Sequence, residues 1–193
     1  MKPSPYFADS FAFFFKRFLS ANGLRKFFLK YAGDSSEPFE YPSALSSCRG
    51  HLIVMPETTD DAFPYIPLIR EIIARDDGAT CLLAGDALRD LVFSAGFSAY
   101  TPCFYTVSGC RYGTPEYEKI VKVVTSRAYS VCLYLERKPL YQRLALAKLS
   151  SAPYRIGFHC EDLFPFLNVS LGTEAEDAHI RAQILQERYG SAK

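Results

Sequence analysis

From residue 51 to residue 158 the chain alternates short apolar runs with segments of helical period, and no other feature restricts its fold as much. Apolar runs of four to eight residues separated by helical stretches are what parallel strands with helical crossovers require, because each strand is buried on both faces and each crossover must cover one of them. HLIVMPE (51–57), TCLLAG (80–85), YTPCFYTV (100–107), SVCLYLE (130–136) and YRIGF (154–158) read as the strands. Between them the period predicts helices over 62–75, with Ile66, Ile69 and Ile73 inward, and over 86–96, closed by Gly96 as C-cap. A third helix runs over 114–127, with Thr114 as N-cap, Pro115 in the first helical position and Glu116 in the first turn. A fourth, over 139–150, begins at Pro139, and a last one covers 173–190, acidic at its start and basic at its end. The expected fold is a single Rossmann-like α/β domain, about five strands in a mostly parallel sheet flanked by helices.

The composition changes near residue 45, which divides the chain into an extension, 1–45, and the α/β domain, 46–193. The extension is rich in Phe and in Lys and Arg, with Phe7, Phe11, Phe14 and Phe18 at helical spacing and Asn22-Gly23 between two short helices. Two readings stay open for residues 6–31. One is an interfacial helix with Phe in the acyl boundary and basic residues against anionic lipid. The other is an extension packed on the sheet or on a partner, which the run Phe13, Phe14, Phe15 around the whole helix favours. No apolar run is long enough to span a bilayer and no signal-peptide order is present, so the expected location is cytoplasmic, with peripheral membrane contact left open through residues 6–31.

Twenty-two basic against 21 acidic residues, a net charge of +1, provide no global field to recruit nucleic acid. The six cysteines, Cys48, Cys81, Cys103, Cys110, Cys132 and Cys160, form no C-x-x-C pair. Cys81 and Cys132 lie within apolar runs and read as small buried hydrophobes in a reducing compartment. His51, His159 and His179 are scattered and read as a strand edge, a loop and a helix surface, so neither a metal nor a cofactor is expected.

In an open parallel sheet, ligands bind beyond the carboxyl ends of the strands. That rule singles out the end of the first run, PETTDDAFPYIP, where Glu57, Thr58, Thr59, Asp60 and Asp61 stand. The segment holds neither G-x-G-x-x-G nor G-K-[ST], which disfavours NAD and ATP binding of the familiar kinds. The two aspartates serve equally well as helix-capping charges, and spacing alone does not choose. Arg137 and Lys138 follow the fourth run at the same edge and could meet a phosphate or an acidic sugar, or form a solvated basic loop. Ser108-Gly109-Cys110 lacks a nucleophile elbow, and Tyr134 reads as core.

The segment LIVMPETTDDAFPYIPLIREI resembles the opening of the ADP-heptose:lipopolysaccharide heptosyltransferases and their relatives, glycosyltransferase family nine. There a hydrophobic strand leads through a short loop to a Gly-Asp pair and a helix with a proline six residues after the aspartate. Here the aspartate falls on Asp61 and the proline on Pro67, while Asp60 replaces the glycine. AYSVCLYLE is similar to the family's Tyr-Asp and following strand, with Ser130 for the aspartate, and Arg155, Ile156 and Gly157 match its Arg-Ile-Gly signature. The segment around His179, Leu185 and Gly190 resembles the approach to the interdomain linker, so the match runs from about residue 51 to 190.

The resemblance implies the acceptor-side half of a metal-independent, inverting glycosyltransferase of the two-Rossmann-domain architecture, acting in cell-envelope lipopolysaccharide or polysaccharide synthesis. Asp61 would be the general base toward a sugar or lipid-linked glycan acceptor, with Glu57, Thr58, Thr59, Asp60, Arg137 and Lys138 lining the acceptor site. It implies also a second Rossmann domain that binds the nucleotide sugar. The sequence ends at Lys193 before one, so a separately encoded donor domain or a truncated chain is expected. The alternatives are a non-catalytic binding or structural module derived from such an enzyme, and a small-molecule Rossmann-like binder unrelated to sugars.

Overall fold

The computed structural model describes residues 48–76, 79–100, 102–158, 163–171 and 177–190, with Gly23, 26–28 and Lys30 of the extension. The chain runs β1 (His51–Val54), α1 (Thr59–Ala62), a 3-10 turn (Phe63–Tyr65) and α2 (Ile66–Asp76). It continues through β2 (Cys81–Gly85), α3 (Arg89–Ser94), β3 (Pro102–Tyr105), α4 (Pro115–Thr125) and β4 (Val131–Tyr134). Last come α5 (Tyr141–Leu149), β5 (Tyr154–Phe158), β6 (Val169–Leu171) and α6 (Ala178–Gly190). The six strands form one sheet in the order β3-β2-β1-β4-β5-β6, every neighbouring pair parallel. This is the doubly wound Rossmann arrangement, in which the order reverses direction between β1 and β4.

Strand period places alternate residues on opposite faces, and both faces are buried. Ile53, Leu82, Leu133 and Ile156 meet Ile69, Ile72 and Ile73 of α2, Val92 of α3 and Leu185 of α6. Leu52, Val54, Leu83 and Cys132 meet Ile120 and Val124 of α4 and Leu144 and Ala147 of α5. Each such aliphatic side chain removed from water contributes about 1.5–3 kcal/mol, so the two layers, not helix propensity, hold the sheet.

The local signals read from the sequence explain most boundaries. Thr114 caps α4 by accepting the Tyr117 N–H, with Pro115 in the first turn. Gly96 ends the α3 segment with φ 81°, a left-handed conformation that any side chain would strain. Ile66, Ile69 and Ile73 are buried as the period requires, and so are Cys81, Cys132 and Tyr134.

Four expectations are corrected. The sheet has a sixth strand, β6, whose three residues are too few to show a period. The first helix begins at Thr59 instead of 62, because Thr58 caps it, and a 3-10 turn containing Pro64 interrupts it. Pro139 precedes α5 instead of opening it; the Tyr134 hydroxyl donates to the Lys138 carbonyl and accepts the Leu140 N–H, so the approach to the helix is fastened by a tertiary contact. The first turn of α6 carries no acid, since the helix begins at Ala178, one residue after Asp177; residues 173–176 lie outside the described residues.

Most of the extension, including Phe7, Phe11, Phe14 and Phe18, also lies outside them. Within it, Phe28 is buried, and Phe27 and Phe28 stack edge-on against Tyr112 at 5.0 and 5.9 Å between ring centroids. For that pair the packed arrangement holds. Among the described residues no helix is long and apolar enough to cross a membrane.

Candidate functional site at the carboxyl edge

The strand order reverses between β1 and β4, so the loops after Val54 and Tyr134 stand at the switch point on the sheet's carboxyl edge. Glu57 follows β1 and Glu136 follows β4. Between them stands the guanidinium of Arg143, from the first turn of α5, 3% exposed and directly before the buried apolar stretch Leu144–Ala147. Arg143 donates to Glu57 Oε1 at 2.6 Å and to Glu136 Oε2 at 3.3 Å, and its guanidinium carbon lies 4.9 Å from the centre of the Tyr105 ring. Burial opposes its charge, but Tyr105, Cys110, Glu57 and Tyr134 outweigh that and hold it protonated more firmly than usual.

Glu136 is the hub of this network. Its carboxylate accepts the backbone N–H of Glu57 at 2.9 Å, of Arg137 at 2.9 Å and of Lys138 at 3.4 Å, besides Arg143. A buried carboxylate needs that many donors to replace its hydration. The loops after β1 and β4 are thereby tied together. Arg137 and Lys138 contribute main chain to the site while their side chains are exposed. The Glu57 side chain is 42% exposed, so one end of its carboxylate is fixed on a buried cation and the other faces solvent.

Asp61 is built differently. Thr58 has extended dihedrals and caps α1: its hydroxyl accepts the Asp61 N–H at 3.2 Å and donates to Asp61 Oδ2 at 2.8 Å. This reciprocal pair is the physical reason for Thr and Asp three residues apart after a strand. The other oxygen, Oδ1, lies 4.0 Å from Nη2 of Arg181 in α6, whose side chain is 2% exposed against 43% for Asp61. Tyr65, from the 3-10 turn that packs on α6, completes the group. Burial pushes its hydroxyl up to about 12 against the opposing charge of Arg181, with Asp61 and Glu136 adding to the rise. Thr59 and Asp60 are exposed on the first turn of α1.

All seven residues singled out in the sequence thus lie at this edge. Glu57, Arg137 and Lys138 gather around Glu136 and Arg143, whereas Thr58 and Asp61 join Tyr65 and Arg181. Sequence reasoning missed Glu136, Arg143, Tyr65 and Arg181. For Arg143 a signal existed, a cation immediately before the apolar stretch Leu144–Ala147; for Arg181, in the polar run HIRAQILQER, none did.

The remaining candidates fall elsewhere. His51 is no strand edge: it lies in central β1, 2% exposed, its ring 2.6 Å from Asp76 at the amino edge. His179 is exposed on α6, and His159 lies outside the described residues. Among the described residues no group of three or more His, Cys, Asp or Glu side chains is arranged to hold a metal, and Cys48, Cys81, Cys103, Cys110 and Cys132 are free thiols. No protein-family model, curated protein or solved structure matches the chain.

Proposed function

We propose that the carboxyl edge between β1 and β4 is the acceptor site of a glycosyltransferase domain of the heptosyltransferase-like kind, with Asp61 as general base. The observation that carries the reading is the setting of Asp61. Its carboxylate stands just past the end of β1, half exposed, with one oxygen held by Thr58. A carboxylate so oriented can accept a proton from an acceptor hydroxyl without a metal. In the reaction the acceptor oxygen bonds to the anomeric carbon of the donor sugar, the nucleoside diphosphate leaves with the electrons of the broken bond, and the proton passes to Asp61. The strand order and the motif resemblance from residue 51 to 190 support the same reading, and the donor is assigned to a second domain. Work at a lipid-linked glycan would bring the domain to the inner-membrane surface.

A second reading is a non-catalytic glycan-binding module. It is favoured by the pairing of both half-exposed carboxylates, Glu57 and Asp61, with buried arginines. It is favoured also by Asp60, which adds charge and a Cβ where the resembling family has glycine. Transfer from nucleotide-activated sugars to glycan acceptors, in the presence of a donor-domain protein, separates the two. The enzymatic reading expects Asp61→Asn to lower the rate by about 10²–10⁴-fold. Undiminished transfer by that variant removes Asp61 from the mechanism, and acceptor binding without any transfer establishes the module.

A further inference from the structure

Arg181 is the largest fully buried side chain among the described residues, and its Nε and Nη2 atoms find no hydrogen-bond acceptor there. Asp61, at 4.0 Å from Nη2, is close enough to neutralise it but beyond hydrogen-bond reach. A buried guanidinium left in this condition is far less favourable than an apolar residue of similar volume at the same place. The Tyr65 hydroxyl, within the field of Arg181, is also buried without a partner. Three buried donor atoms, two of them on a cation, are therefore left without partners near one half-exposed carboxylate: Nη2 lies 4.0 Å from Asp61 Oδ1, and the Tyr65 hydroxyl is within the field of both charges. The guanidinium is shelved over the Phe158 ring, 5.7 Å from its centre, at the carboxyl end of β5.

We propose that Arg181 and Tyr65 form a carboxylate-binding subsite that Asp61 covers in the free protein. The two unpartnered nitrogens are the clue to the chemistry. Nε and Nη2 lie on one edge of the guanidinium plane, and a planar carboxylate binds that edge through two parallel hydrogen bonds. The Tyr65 hydroxyl supplies a third donor. Asp61 approximates this arrangement without reaching it, because Thr58 holds its other oxygen. Being half exposed, Asp61 can turn into water when an external carboxylate takes its place. The surrounding charge selects a monoanion: Asp61 and Glu136 both act on the Tyr65 hydroxyl, and because Arg143 is already engaged by Glu57 and Glu136, a phosphate dianion would have Arg181 alone to offset its second charge. A sugar acid, which carries a carboxylate beside hydroxyl groups, matches an edge that offers both Arg181 and half-exposed carboxylates. The subsite rests on the acceptor reading only for the molecule that bears the carboxylate, and its binding needs no donor and no catalysis.

Titration calorimetry on the full chain, with glucuronate, glucose and inorganic phosphate as probes at constant ionic strength, tests it. Glucuronate is expected to bind and glucose not. Asp61→Asn should tighten glucuronate severalfold, since the internal competitor loses its charge. Adding Arg181→Met in that background should weaken binding by about ten- to a hundredfold, the worth of hydrogen bonds to a charged group, with Tyr65→Phe a smaller loss. Asp61→Asn alters an exposed side chain, so the competition is testable even if Arg181→Met does not fold. Equal behaviour of glucuronate and glucose in both the native chain and Asp61→Asn overturns the proposal, as does phosphate binding more tightly than glucuronate. Carboxylate binding that depends on Arg181, without any glycosyl transfer, leaves it standing while removing the enzymatic reading.

Discussion

The two edges of the sheet both bury charge, but they do it in opposite ways. At the amino edge Asp76 Oδ2 accepts the His51 backbone N–H at 3.0 Å, faces the His51 ring at 2.6 Å and accepts the Thr80 hydroxyl at 2.7 Å. His51, Asp76 and Thr80 are all buried, with Tyr189 of α6 against the ring. At the carboxyl edge, beside the buried Arg143–Glu136 contact, two ion pairs are split by depth: Arg143 and Arg181 are 4% and 2% exposed, their carboxylate partners Glu57 and Asp61 42% and 43%. A pair buried at both ends can only hold elements together. A pair with its cation below and its anion at the surface presents a carboxylate in a fixed place, which is what recognition or proton transfer needs. The amino edge is scaffold, and the carboxyl edge is the candidate site.

That contrast can be broken by substitution. The largest effect is expected from Arg143→Met, which strands Glu136 with one donor fewer and releases Glu57; urea denaturation should show a loss of about 3–5 kcal/mol. A loss below 1 kcal/mol would mean that the network ties nothing. Next is Asp76→Ala, which orphans the buried donors of His51 and Thr80 and should cost about 2–3 kcal/mol. It should also change the pH dependence. Burial pushes the Asp76 carboxyl up, but the hydrogen bonds and charge of His51 and the Thr80 hydroxyl outweigh it and hold the acid below its ordinary value of 3.8. The folded form therefore gains stability above that pH and loses it as pH falls toward the lowered value. The native chain should weaken on acidification below about pH 4, and Asp76→Ala should lack that component; an unaltered acid limb would show that Asp76 carries none of it. Thr58→Ala, which removes one cap, should cost about 1 kcal/mol. If its loss equals that of Asp76→Ala, the two edges are not built differently. The smallest effect is expected at the exposed Asp86–Arg89 pair after β2, where Asp86→Asn should change stability by no more than about 0.5 kcal/mol.

The sequence carries the sheet because burial on both faces imposes a pattern that every strand repeats. It carries the position of the candidate site for the same reason, since strand ends follow from strand positions. What it withholds is depth. Glu57 and Glu136 each close an apolar run, three residues after β1 and two after β4, yet one is half exposed and the other buried, and only Glu136 receives the backbone N–H groups of Glu57, Arg137 and Lys138 besides Arg143. Arg181 was illegible for a related reason: its run is polar, and only the packing of α6 on the 3-10 turn makes it interior. His51 was misplaced because a polar residue at the head of an apolar run looks like a margin, whereas it pairs with Val131 of β4 and its N–H and ring are held by the buried Asp76.

The 3-10 turn between α1 and α2 has one more consequence, a phase slip. Three residues at three per turn advance the chain by a full rotation, where an α-helix would advance it about 300°. The face of α1 is thus set roughly 60° away from the extrapolated face of α2, and the apolar stripe of Ile66, Ile69 and Ile73 does not dictate where Asp61 points. Aim and anchorage are separate variables here. Deleting one residue from Phe63–Tyr65 would leave α2 seated on the sheet and swing Asp61 by about a third of a turn, out of line with Arg181.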